Sequence, residues 1–142
     1  MYDLRNLISP GKSARVTHVV VESDAATSFS PQLSELMSTP AVISLAIEAA
    51  AFAVDEYLPE GYVSIGRAIT FEHTASTRVG MKVFVDAVVS EVHEQHILLD
   101  IKVSDEIGEI GFGTHRRTIV VKDYLDARSK RRAAMQMNSR PM

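Results

Sequence analysis

A chain of 142 residues, 46% apolar and with a formal charge of −3, is long enough for one domain with a sizeable core and carries no global attraction for polyanions. The absence of cysteine excludes disulfides, thiolate metal sites and a cysteine nucleophile, and it fits a cytoplasmic protein. Met1 to Lys12 holds charges and a Pro-Gly turn where a signal peptide would hold an apolar run, so none is expected. Nothing resembles a linker, a repeat or a low-complexity tract, and residues 1–142 read as a single domain with neither nucleic acid nor membrane as its partner.

Arg15 to Glu22 reads as a first strand. The segment that follows carries Phe29, Leu33 and Leu36 in a loop setting, where they suit a lid. Pro40 to Tyr57 then reads as a helix, apolar nearly all the way round, which needs walls on most sides. Thr39 supplies an N-cap oxygen and Pro40 suits the first turn, where its missing N–H would have been unpaired anyway. Such a helix runs about 27 Å, but Glu48, Asp55 and Glu56 interrupt it, so it belongs in a protein core and not in a bilayer.

From Tyr62 to Lys122 the pattern is strand-like throughout: Tyr62 to Thr74, Met81 to Val92, Ile97 to Val103 and Ile110 to Lys122, with turns at Thr77 to Gly80, Glu94-Gln95 and Asp105 to Gly108. With the first strand this makes an α+β fold of about five antiparallel strands curled round one long central helix. Residues 123–137 read as a basic terminal helix with Arg128, Lys130, Arg131 and Arg132 close together. That cluster is either a solvated helix end or a contact for a phosphorylated ligand such as coenzyme A.

Alternation along Tyr62 to Thr74 puts Ile69, Phe71 and His73 on one face, so His73 ends an apolar, core-facing row. A partly desolvated imidazole there is either a packed, hydrogen-bonded histidine or a general base. Thr39 is either an N-cap or a hydroxyl beside the free N–H groups of a helix start, where a thioester carbonyl or oxyanion would be stabilised. Gly66, Gly111 and Gly113 permit bulges or close backbone approach. His18, His93 and His96 show no convergent partners, and no metal or cofactor site is assigned.

Taken in order, Ser-Thr-Pro before an apolar helix, Tyr-Leu-Pro-Glu-Gly, Ser-Ile-Gly, Glu-His-Thr-Ala-Ser-Thr and Gly-Glu-Ile-Gly-Phe-Gly-Thr-His-Arg-Arg resemble the fluoroacetyl-CoA-thioesterase-like branch of the hotdog-fold thioesterases. The resemblance spans roughly Thr17 to Lys122 and implies a hotdog fold, a homodimer or dimer of dimers joined edge to edge, and hydrolysis of a small or medium acyl-CoA. It implies Thr39 and His73 as catalytic residues and Gly66 near the thioester carbonyl. The family's catalytic glutamate falls on Ile47. Glu48 comes one residue late: Ile47 lies about 80° round the helix from Thr39 and Glu48 about 180°. Glu48 therefore either belongs to a polar stripe with Ser44 and Asp55, or enters the site through a helix distortion or a partner subunit.

The mechanism this implies has His73 activating water, and Thr39 with backbone N–H groups near Gly66 polarising the carbonyl. Phe29, Leu36 and Ile47 would line the acyl pocket, and Arg116, Arg117 and the terminal basic residues would meet the CoA phosphates. Ile47 also keeps a second reading open, a non-catalytic hotdog module that binds acyl-CoA or another apolar ligand. A hotdog enoyl-CoA hydratase fits less well, since the Gly-Asp-x-Asn-Pro segment that holds its aspartate and histidine has no counterpart here.

Overall fold

The computed structural model describes residues 4–139. Five antiparallel strands, β1 (Ser13–Val19), β2 (Tyr62–His73), β3 (Lys82–His93), β4 (His96–Asp105) and β5 (Glu109–Val121), form one sheet in the order β1-β3-β4-β5-β2. A long helix, α1 (Thr39–Asp55), packs on one face, and a second, α2 (Lys122–Ser139), continues from β5. This is the hotdog architecture expected from the sequence.

Period-two alternation builds the sheet's inner face. Val83, Val85, Ala87 and Val89 of β3 and Ile97, Leu99, Ile101 and Val103 of β4 are buried, while the residues between them are exposed or half-buried. Helix α1 meets this face with Val42, Ala46, Ala49, Ala50, Ala53 and Val54, whose small alanines let the helix axis lie close to the strands. Its opposite side is open. Pro40, Ser44, Ile47, Glu48, Phe52 and Asp55 are exposed, with Phe52 56% and Ile47 36% accessible. One chain thus walls α1 on one side, where the apolar composition suggested walls on most sides.

β2, next after α1 in the chain, joins the sheet beside the last strand, β5, and leaves its other edge free. The pairing demands glycine at two places. A Cβ on Gly111 would lie 2.5 Å from the Phe71 ring, and one on Gly113 would overlap the Thr70 carbonyl. Register shifts at Gly66/Ala68 and Val89/Glu91 mark bulges that strengthen the curl.

Boundaries moved where side chains competed with the ladder. β1 ends at Val19, three residues early, because Asp24 takes the Val21 N–H at 2.9 Å and starts a turn. The segment between β1 and α1 forms three short 3-10 turns and is tied down by Ala26 N–H to Leu36 O at 2.8 Å and Met37 N–H to Thr77 O at 2.9 Å. Thr77 is fully buried and donates to Asp105 at 2.8 Å. Burial pushes the Asp105 carboxyl up, but its bonds from Ile107 N–H, Thr77 and Gly108 N–H outweigh that and hold it below the usual carboxylate range.

Candidate functional site

The first turn of α1 and the last residue of β2 meet. Thr39 Oγ1 lies 2.8 Å from His73 Nδ1, joining residues 34 positions apart. The contact exists because Thr39 does not cap the helix. Ser38 does: its hydroxyl accepts from Ala41 N–H at 3.1 Å and its own N–H donates to Asp24 O at 2.8 Å. Thr39 stands one position inside, its hydroxyl released from capping, and the competition that the sequence poses for one oxygen is resolved by two neighbouring ones. The Ser-Thr-Pro order offers two hydroxyls, either of which satisfies a cap, and the expected cap at Thr39 falls to Ser38.

His73 is half-buried. Burial lowers its pKa from the usual histidine value, with a bond to the Ala75 backbone acting in the other direction. Its Nε2 is shielded from solvent and has no hydrogen-bond partner among the described residues. A buried nitrogen left unpaired costs about 1–3 kcal/mol, which marks this atom as one kept for something outside the chain.

Gly66 sits on the β2 bulge over a buried polar network that the sequence did not foretell. Arg117, 6% exposed, donates from Nε to Ser64 Oγ and from Nη2 to Ser64 O, both at 2.9 Å, and from Nη1 to His115 Nε2 at 3.2 Å. Ser64 in turn donates to Asp55 at the end of α1. His115 Nδ1–H donates to Ala68 O at 2.8 Å, which fixes the neutral ring with Nε2 as acceptor. Burial lowers the His115 pKa, the Ala68 bond opposes that, and the neighbouring Arg117 charge lowers it further. Arg117, expected at CoA phosphates, is thus committed inside the protein. Arg116, its neighbour along β5, is half-buried.

The remaining expected residues scatter. Glu48 is exposed on the open side of α1 with Ile47 close by on the same side, and Glu48 makes no hydrogen bond or ion pair among the described residues. Phe29 is 69% exposed and lines a groove of about 380 Å³ with Asp24, Ser38, Pro40 and Leu45. Leu36 is half-buried and pairs as an isolated bridge with Arg78. On α2, Arg128, Arg131, Arg132 and Met135 line a shallow surface depression, and the Arg128 guanidinium stands 5.9 Å from the Tyr124 ring centroid. The three histidines expected to lack partners all have one: His18 Nε2 lies 2.7 Å from Asp24, His96 Nδ1 lies 3.0 Å from Thr118 Oγ1, and His93 Nε2 lies 3.6 Å from Glu91. No described helix is long and apolar enough to cross a membrane.

Comparison with known proteins gives this geometry a context. Residues 20–123 match the family model for fluoroacetyl-CoA-specific thioesterases. The chain is 29% identical over 126 residues to the fluoroacetyl-CoA thioesterase of Streptantibioticus cattleyicolor, an alignment covering 89% of this chain and 86% of that one. Among solved structures, a hot-dog-like protein from Thermanaerovibrio acidaminovorans superposes with a TM-score of 0.88 at 30% identity, covering 92% of this chain and 97% of that one. A variant of the fluoroacetyl-CoA thioesterase FlK in complex with acetyl-CoA superposes with a TM-score of 0.81 at 25% identity, covering 88% and 98%.

Proposed function

Because the chain belongs to the family of fluoroacetyl-CoA-specific thioesterases, we propose that it hydrolyses the thioester of a small or medium acyl-CoA in the cytoplasm, with Thr39 and His73 at the reacting centre. The observation that carries this reading is the 2.8 Å contact between Thr39 Oγ1 and His73 Nδ1 beside an unpaired Nε2. With Nδ1–H donated to Thr39, the Nε2 lone pair takes a proton from water as the water oxygen attacks the thioester carbonyl. The Thr39 O–H then turns toward the carbonyl oxygen, aided by the N-terminal dipole of α1. The C–S bond breaks and CoA leaves as its thiolate, taking up the proton held by His73. Arg116 and the basic face of α2 meet the CoA phosphates, and Phe29 and Leu36 border the acyl group.

The working unit in this reading is a homodimer, alone or paired into a dimer of dimers. Gly66 lies seven residues before His73, about 20 Å along an extended strand, too far for both to touch one carbonyl within a protomer. An antiparallel join of two free β2 edges centred between Ile69 and Thr70 sets Gly66 of one subunit opposite His73 of the other. The same join brings a second body to the open side of α1, where Ile47 and Phe52 are exposed. Glu48 lies on that side too and remains a candidate carboxylate for a partner's site.

The decisive test follows free CoA across a set of acyl-CoAs: His73→Ala abolishes release and leaves the dimer intact. Unchanged hydrolysis would remove His73 from this role. Ile47 at the glutamate position favours a second reading, a module that binds acyl-CoA without turnover. Tight binding in a titration with no thiol released from any acyl chain would establish it over the first.

A further inference from the structure

The family resemblance puts Gly66 near the thioester carbonyl, and the proposed dimer sets it opposite the partner's His73, yet β2 does not set the shape of the Gly66 bulge by itself. The ladder pairs Gly66 with Arg117 and then Ala68 with Arg116, leaving Arg67 without an opposite residue. Gly66, Arg67 and Ala68 are all exposed, on a strand with one free edge. A bulge there disrupts the ladder locally, on a strand whose outer edge has no neighbour to brace it. The Ala68 carbonyl beside it accepts from the His115 ring at 2.8 Å.

We propose that His115 is a positioning residue of the site: its Nδ1–H closes the β2 bulge at Ala68 O while its Nε2 holds the Arg117 guanidinium beneath Gly66. The ring is 2% exposed, and its two nitrogens are used in opposite senses, one donating and one accepting. Gly66 is the residue that admits it, since a Cβ there would stand 3.2 Å from His115 Cε1 and 3.4 Å from Arg117 Nη1. Arg117 is held from the other side by Ser64, which is itself bonded to Asp55 of α1. The bulge is thereby tied through β5 to the helix whose first turn carries Thr39. Backbone N–H groups stabilise an oxyanion only when they are fixed before the charge develops. The catalytic consequence rests on the thioesterase reading; the pinning of the bulge does not.

Three variants of the full chain separate the roles. His115→Phe keeps the ring's bulk and loses both bonds, His115→Asn keeps a donor at the Nδ1 position, and His115→Gln keeps an acceptor at the Nε2 position. The expected result is about a tenfold or larger fall in kcat for His115→Phe with KM changed less than about twofold, and recovery of most of the loss in His115→Asn. In parallel, backbone amide exchange at Arg67, Ala68 and Ile69 accelerates in His115→Phe and returns toward wild type in His115→Asn. A folded His115→Phe variant with wild-type exchange at the bulge, or with kcat within twofold of wild type, overturns the proposal. Equal damage in all three variants does the same, because it would show that only packing matters. If the wild-type protein releases no CoA from any thioester, the hydrolase reading fails, and the exchange experiment still decides whether His115 pins the bulge.

Discussion

Two adjacent hydroxyls at the start of α1 do different work, and their separation can be measured. Ser38→Ala removes the cap and should cost about 1 kcal/mol of stability, lowering the melting temperature while leaving turnover near wild type. Thr39→Val should do the reverse, sparing stability and cutting turnover, because its oxygen touches His73 and not the helix N–H groups. Loss of activity in Ser38→Ala at full folding would reverse the assignment. The pH profile belongs to the same scale. Burial disfavours protonated His73 and lowers its pKa from the usual histidine value, which favours the neutral form that a base needs. The logarithm of kcat/KM should therefore climb with pH through that lowered value and level off before neutral pH. An acid limb centred at or above the ordinary histidine value would count against His73 as the base. In the sequence, alternation along β2 was enough to put His73 on the core face, and Ser-Thr-Pro was enough to mark the helix start. Which hydroxyl capped was not legible, because both satisfy the same local rule and the choice depends on Asp24 and His73 reaching that turn from elsewhere.

Element boundaries followed the sequence wherever one face was continuously apolar, as along β3 and β4, and drifted where a polar side chain captured a backbone N–H, as Asp24 does after β1. The pairing of β2 with β5 is a different matter, since these strands are separated by the β3–β4 hairpin and no local pattern names the partner. The glycines of β5 are its trace in the sequence. Gly113→Ala should cost about 1–3 kcal/mol, because the new methyl must push the Thr70 backbone away across the ladder. Chemical denaturation would read this, and an unchanged midpoint would mean that β2 and β5 can separate locally without cost. The bulge at Gly66 was legible as a glycine within a strand. The network beneath it was not, since His115, Arg117, Ser64 and Asp55 come from three elements and read singly as ordinary surface polar residues.

For the whole molecule, the open side of α1 and the free edge of β2 are two adjoining surfaces that the described residues leave uncovered. Phe52→Asp changes a side chain that is 56% exposed in the single chain, so it should leave the protomer folded and shift sedimentation from dimer toward monomer, with CoA release falling in step. A Phe52→Asp protein that dimerises as tightly as wild type would place the subunit contact elsewhere. The composition of α1 motivates this test: a helix apolar nearly all round implies more wall than one five-stranded sheet supplies. By itself the sequence determined the order and kind of the elements, the inward rows of the sheet and the two residues now found in contact at its end, because periodicity, turn chemistry and capping act over a few residues. Only the tertiary structure decided that Ser38 caps and Thr39 does not, that Arg117 is buried and not facing a phosphate, and that His115 bonds the Ala68 carbonyl. Those outcomes turn on contacts between residues as far apart as 34 to 53 positions, where the closure of the sheet, and not local preference, sets which groups lose water and which partners remain to replace it.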